Sequence, residues 1–213
     1  MKEKLKNIDL YFITDSRLTR KTILEDVKSA IRAGVKIIQY REKKLDARDM
    51  VKEAEDIGKL CRKNSILFII NDRVDIALAV NADGVHLGDT DMHYSMARKI
   101  LGRKKIIGLT VHRVDEAIEA ERIGADYVGV SPIFKTKTKT DAGKPAGLDL
   151  IKNARRAIKI PLVAIGGINE NNLKDVLKAG AGSVSAISAI VARDDVERKC
   201  KKFREVIIND SIK

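Results

Sequence analysis

The chain has 213 residues, 44% hydrophobic and 34% charged, with 42 Lys and Arg against 30 Asp and Glu for a formal net charge of +12. Ordinary apolar content excludes wholesale disorder, no apolar run approaches the roughly 18 residues of a membrane span, and two cysteines are too few for a disulfide scaffold. The basic excess leaves four readings open: nucleic acid, an anionic membrane surface, small phosphorylated ligands, or a solvated surface that carries no message.

Residues 1–7 are charged and lack the apolar stretch of a signal peptide, and thiols suit a reducing compartment, so a cytoplasmic location is expected. Residues 10–14, LYFIT, predict a strand ended by Asp15. Ile23, Leu24, Val27, Ala30 and Ile31 recur at helical spacing and predict a helix over 22–33, stopped by Gly34. A strand over 35–40 precedes a long amphipathic helix over 46–63, with Met50, Val51, Ala54, Ile57 and Leu60 on its apolar stripe. The continuous apolar run 66–70 reads as a strand buried on both faces. A short helix follows over 73–80. The alternation continues with strands over 84–87, 105–109, 127–130, 162–165 and 183–186. Helices are expected over 94–101, 114–123, 148–158, 169–179 and 196–208.

This makes about eight βα units with no composition break, the pattern of a (β/α)₈ TIM barrel formed by one domain over 1–213. An open doubly wound sheet usually carries GxGxxG after its first strand, whereas here that strand ends in TDSRL. The loop 131–147 is longer than an ordinary βα connection, and such loops are functional lids or disordered segments.

In barrels the chemistry sits at the C-terminal strand ends. Gln39, Arg41 and Lys43 share a period of two, so a strand extended that far points all three into the mouth, with Tyr40 and Glu42 pointing outward. A guanidinium and an ammonium converging on one point suit a phosphate or pyrophosphate; a lone RxK triplet reads more readily as a solvated turn, and its place at a strand end brings the two readings closer. Asp72 and Asp91 follow consecutive strands, and hard carboxylate ligands without clustered His or Cys suit Mg²⁺ shared with a substrate phosphate. Asp72 could instead cap the helix beginning near Arg73, and spacing alone does not choose between Asp89 and Asp91.

The segment TKTKTD, 136–141, interleaves hydroxyls and ammonium groups as an anion-gripping lid would, and as a disordered basic loop would. Gly166 and Gly167 after the seventh strand, and Ile187 and Ser188 after the eighth, occupy places where barrels often bind phosphate. His86 and His112 read as hydrogen-bonded structural histidines, His93 as a loop residue, and Cys61 and Cys200 as structural helix residues.

Seven segments, IIQYREK, FIINDRVDIAL, ADGVHLGDTDM, IGLTVH, ADYVGVSPIFKTKTKTD, VAIGGIN and SVSAISAI, follow one another in an order and spacing that resemble the thiamine phosphate synthase family over nearly the whole chain. The resemblance implies a transferase that joins hydroxymethylpyrimidine diphosphate to a carboxylated thiazole phosphate, giving thiamine phosphate, pyrophosphate and carbon dioxide. Matched residue by residue, it implies that Gln39, Tyr40, Arg41, Glu42, Lys43, Asn71, Thr110 and Lys139 hold the pyrimidine diphosphate. Thr136, Lys137, Thr138, Gly167, Ile187 and Ser188 would hold the thiazole phosphate, and Asp72 with Asp91 would bind Mg²⁺. Arg41, Lys43 and Lys139 are the expected catalytic cations. Two positions depart from the family pattern: Thr110 stands where Ser is common, keeping the hydroxyl, and Lys135 stands where Pro is common, removing a rigid turn.

A tautomerase-like homologue on the same barrel would need a base but not this diphosphate and metal apparatus, and a sugar-phosphate epimerase would release no pyrophosphate. The run 198–204, RKCKKFR, is the best support for a nucleic-acid partner, but a helix face explains it as well and aromatic platforms are scarce. The expected partners are therefore small phosphorylated substrates, with neither nucleic acid nor membrane, and a homo-oligomer is left open.

Overall fold

A computed structural model describes residues 2–136, 138 and 143–211. Eight parallel strands follow one another around a single sheet in chain order: β1 (Tyr11–Ile13), β2 (Ile37–Tyr40), β3 (Leu67–Asn71), β4 (Gly84–Leu87), β5 (Ile106–Val111), β6 (Tyr127–Val130), β7 (Leu162–Ile165) and β8 (Ser183–Ser185). A parallel bridge between Leu10 and Val184, with the Val184 N–H donating to the Asp9 carbonyl at 3.1 Å, joins the last strand to the first. The helices α1 (Ile23–Arg32), α2 (Ala47–Lys63), α3 (Val74–Ala79), α4 (Tyr94–Leu101), α5 (Val114–Arg122), α6 (Gly147–Ala157), α7 (Leu173–Lys178), α8 (Ile187–Ile190) and α9 (Val196–Ser211) alternate with the strands. The (β/α)₈ barrel expected from the alternation is the observed architecture. Among the described residues no helix is long and apolar enough to cross a membrane.

The strands' period of two builds two cores. Outward residues such as Phe12, Ile38, Phe68, Val85 and Val128 pack under the helices, while inward residues including Tyr11, Ile37, Ile69, Tyr127 and Val163 fill the barrel. A 3₁₀ turn over Lys2–Asn7, not foreseen from the sequence, brings Leu5 into that interior core with Ile8. Gly108 makes room for the Tyr127 ring: a Cβ there would lie 2.0 Å from Tyr127 Cζ.

Three boundary shifts matter for the mouth. β3 and β5 run further than predicted, which places Asn71 and Thr110 on strands, on the same face as the inward residues Ile69 and Gly108. The predicted helix 169–179 begins only at Leu173, because Asn172 Oδ1 accepts from the Asn169 N–H (2.8 Å) and Asn169 Oδ1 from the Asn171 N–H (2.9 Å). Such local side-chain bonds compete with helix formation. The short α8 was not predicted, and it starts at Ile187.

The basic run 198–204 lies on α9. Cys200 and Phe203 are buried, and all five basic side chains lie in ion pairs: Arg198 with Asp195, Lys199 and Lys202 with Glu170, Lys201 with Glu197, and Arg204 with Asp9. Its charge is internally matched, which supports the helix-face reading of the run.

Candidate active site

A cleft opens at the C-terminal ends of the strands, lined among others by Gln39, Arg41, Lys43, Asn71, Asp72, Asp91, Thr110, Thr136, Thr138, Gly167, Ile187 and Ser188. Residues distant in sequence meet here because every strand points the same way and ends at the same rim.

β2 stops at Tyr40, short of the extension the RxK pattern requires, because the Glu42 carboxylate collects the N–H groups of Lys43 (2.7 Å) and Lys44 (2.5 Å) and turns the chain. The alternation nevertheless survives the turn. Gln39, Arg41 and Lys43 face the cleft, while the Tyr40 hydroxyl donates to Glu53 at 2.7 Å on the outer side. Neither the Tyr40 nor the Glu42 side chain lines the cleft, so the ligand contacts expected of these two are not side-chain contacts in this structure.

Arg41 is held from below. Its Nη1 donates to Asp15 at 2.5 Å, and its backbone N–H donates to Thr14 Oγ1 at 2.9 Å. Burial opposes ionisation of Asp15, but hydrogen bonds from Arg17 and the Arg41 charge outweigh it and hold the carboxyl below its usual range. Arg17 also donates to the Thr138 carbonyl at 2.7 Å, tying the long loop to the end of β1. Sequence reasoning noted Asp15 only as a strand end and gave it no partner.

Asp72 follows β3 with φ +64, its N–H donating to the His86 carbonyl at 2.8 Å. The helix cap is Arg73, without a side-chain cap bond, so Asp72 is not spent on capping. The Lys43 ammonium pairs with Asp72, and Asp72 and Asp91 hydrogen-bond each other. Burial, then the hydrogen bond and charge of Asp72, push the Asp91 carboxyl up to about 6. Asp72 is held below its usual range, because the bonds from Asp91 and Lys43 outweigh burial. Two carboxylates this close resist being ionised together. Asp89 points elsewhere, its carboxylate 3.1 Å from His112 Nε2 and largely exposed. His112 Nδ1 faces the Ser131 carbonyl.

Beneath the mouth runs a buried polar chain. Gln39 Nε2 donates to the Tyr11 hydroxyl (3.0 Å), which lies 2.7 Å from the Tyr127 hydroxyl; that in turn lies 3.0 Å from His86 Nδ1, and His86 Nε2 lies 2.9 Å from Thr110 Oγ1. An amide nitrogen only donates. Tyr11 therefore accepts from Gln39, and each further pair along the chain shares one hydrogen between its two atoms. Burial pushes both tyrosine hydroxyls up, so they stay neutral. His86 is thus hydrogen-bonded within the barrel, as the sequence suggested.

On the far rim, Gly167 takes φ +66, and a Cβ there would lie 2.6 Å from the Lys135 carbonyl, so the loops after β6 and β7 pack backbone to backbone. Thr136 and Thr138 line the cleft from the first of these loops, the Thr138 N–H donating to Thr136 Oγ1 at 3.2 Å. Lys137, Lys139, Thr140 and Asp141 lie outside the described residues. Thr90, Ser131, Ile13, Ile165 and Ser185 also line the cleft and were not singled out from the sequence. For the inward strand residues the available signal was the same period of two that marked Gln39.

The mouth therefore offers a guanidinium, an ammonium, a closely paired set of two carboxylates, a hydroxyl-rich loop and a glycine turn around one space. The thiamine monophosphate synthase family matches over residues 10–190. The chain is 55% identical over 203 residues to the thiamine-phosphate synthase of Methanosarcina mazei, covering 95% of this chain and 84% of that protein. It is 51% identical to that of Methanosarcina barkeri, covering 95% and 92%. Among solved structures it resembles the thiamine phosphate pyrophosphorylase of Pyrococcus furiosus, with a TM-score of 0.89 and 39% identity over 97% of this chain and 98% of that one.

Proposed function

The chain belongs to the thiamine monophosphate synthase family and is a transferase of thiamine biosynthesis, and from that premise we propose that it joins hydroxymethylpyrimidine diphosphate to a carboxylated thiazole phosphate, releasing pyrophosphate and carbon dioxide. The observation that carries this reading is the Asp72–Asp91 pair beside Lys43 and Arg41 in one cleft. A tautomerase or an epimerase has no use for such a set.

The carboxylate pair fits Mg²⁺ by its donor chemistry. Two hard oxygen ligands lie close enough to resist joint ionisation, and a divalent cation held by both would relieve that repulsion. Among the described residues there is no group of three or more His, Cys, Asp or Glu side chains able to hold a metal, which suits an ion that completes its shell with phosphate oxygens and water. When bound, Mg²⁺ would supply charge neutralisation to the diphosphate as it leaves.

The remaining work falls to the chain's own residues. Arg41, oriented by Asp15, and Lys43 face the diphosphate, with Lys139 as the third cation on sequence grounds. The C–O bond breaks with its electron pair leaving on pyrophosphate, and the electron-rich aminopyrimidine carries the methylene cation. The thiazole nitrogen donates its lone pair to that carbon. Loss of carbon dioxide leaves a pair on the thiazole carbon, which takes up a proton. No protein nucleophile is consumed, so the cleft's task is to hold two phosphorylated substrates in register and keep water out. Gln39 and Asn71 would face the pyrimidine, and Thr136, Thr138, Gly167 and Ser188 the thiazole phosphate.

Incubating the purified protein with both substrates and Mg²⁺, and measuring thiamine phosphate and pyrophosphate together, tests the proposal. Equal amounts of the two products are expected. Pyrophosphate without thiamine phosphate, or neither product, would overturn it.

A further inference from the structure

Ser183 and Ser185 stand two residues apart on one face of β8, inside the barrel. Ser183 Oγ donates to the Ile8 carbonyl at 2.6 Å. Ser185, one step nearer the mouth, is 1% exposed and its Oγ has no hydrogen-bond partner. Among the described residues it is the only buried side-chain nitrogen or oxygen in that position.

The surroundings explain why. Ser185 lines the cleft with Ile13 and Ile165. Ile165 is its register partner on β7, and the parallel Leu10–Val184 bridge sets Tyr11 of β1 level with it on the other side, with Ile13 one inward step nearer the mouth; the Tyr11 hydroxyl is engaged with Gln39 and Tyr127. Neither isoleucine offers a polar side-chain atom, and the Tyr11 hydroxyl makes no bond to Ser185. A buried hydroxyl without a partner is worse than the methyl group of alanine at the same place. Its partner is therefore to be sought among whatever fills the cleft.

We propose that Ser185 contacts substrate, its hydroxyl hydrogen-bonding a heteroatom at the edge of a heteroaromatic ring seated between Ile13 and Ile165. This rests on the function proposed above. The phosphate-bearing ends of both substrates are taken by groups at the rim, Arg41 and Lys43 on one side and Gly167 with Ser188 on the other, so the contact on this inner wall falls to a ring. Flat apolar faces suit the two isoleucines. A ring nitrogen or an exocyclic substituent suits a hydroxyl, which both donates and accepts. Each substrate carries such a ring, and kinetics with each varied in turn identifies which one Ser185 reads.

The test is Ser185→Ala in the full chain, assayed with Mg²⁺ while one substrate is varied and the other saturates. The KM for one substrate is expected to rise about tenfold, as loss of one net hydrogen bond gives, with kcat changed less than about twofold. The free variant should melt at the same temperature as the wild type or higher, since the group removed had no partner. Ser185→Cys, similar in shape and a weaker donor, should fall between the two. Unchanged KM values for both substrates in Ser185→Ala would overturn the proposal, and so would a lowered melting temperature with unchanged KM values, which marks the hydroxyl as structural. Wild-type turnover checks the proposed function itself, whereas the ratio of variant to wild-type KM checks Ser185, so the two failures are distinct.

Discussion

Asp15 sits beneath Arg41, its Oδ2 2.5 Å from the guanidinium Nη1, and both side chains are almost withdrawn from water. The pair fixes the cation the diphosphate is expected to meet. Asp15→Asn should therefore raise the KM for the pyrimidine diphosphate and also lower stability by about 3 kcal/mol, the scale of breaking a buried ion pair. The pH dependence has a definite sign. The folded carboxyl of Asp15 titrates below its unfolded value of 3.8, so its stabilisation is complete above that value and disappears as pH falls through the lower folded one. Urea denaturation at pH 7 should separate wild type and variant, and at strongly acid pH the gap should close. A gap independent of pH would show that the Asp15 charge is not the cause.

Gly108 provides a second test, because the clash there is with a ring and not with a flexible chain end. A Cβ at this position would lie 2.0 Å from Tyr127 Cζ and 2.2 Å from Cε1. Tyr127 is fully buried and bonded at its hydroxyl, so it has no room to retreat. Gly108→Ala should destabilise by about 3 kcal/mol, the upper range of overpacking, seen as a lower urea midpoint. Alanine is otherwise favoured over glycine in a strand, so an unchanged midpoint would mean that the ring shifts freely.

The barrel was legible in the sequence because its signals are local: apolar runs of strand length, and helical stripes ended by Gly34, Gly124 and Gly180. The rim was legible for a related reason, since the residue after each strand is at the mouth once the barrel closes. Pairings were not legible. That Asp15 serves Arg41, that Lys43 serves Asp72, and that Asp89 turns to His112 while Asp91 turns inward all depend on which neighbouring strand ends meet. The unpartnered hydroxyl of Ser185 was equally hidden, because nothing local distinguishes it from the bonded Ser183 two residues before.

Asp91 should behave differently from Asp15 when neutralised. With its carboxyl raised to about 6, it is already partly protonated near neutrality, and its Oδ2 accepts from the Gly88 N–H at 2.7 Å. Asparagine reproduces the neutral acid, donating to Asp72 and accepting from Gly88. Asp91→Asn should leave the free protein within about 1 kcal/mol of wild type while turnover falls by about a hundredfold or more, the scale on which losing a group that acts on developing charge is felt. Thermal melting and the pyrophosphate assay, run on one preparation, separate these effects. A large loss of stability would mean that the charge of Asp91 supports the fold.

Tyr127→Phe examines the polar chain inside the barrel. The ring stays, so the packing against Gly108 is kept, and only one oxygen is removed. That oxygen is hydrogen-bonded to the Tyr11 hydroxyl at 2.7 Å and to His86 Nδ1 at 3.0 Å. Without it, Tyr11 and His86 each lose one hydrogen bond, and a loss of about 1–3 kcal/mol in stability is expected, with an unchanged denaturant slope. The consequence at the mouth is directional. Tyr11 is the acceptor that orients the Gln39 amide, and His86 is the partner that orients the Thr110 hydroxyl. Both ends of the chain line the same cleft, and both are expected to face the pyrimidine. The KM for the pyrimidine diphosphate should therefore rise several-fold, by analogy with one misplaced hydrogen bond. The KM for the thiazole phosphate, held at Gly167 and Ser188 on the opposite rim, should not change. Equal rises in both constants would mean that the variant loosens the whole barrel instead of releasing Gln39 and Thr110.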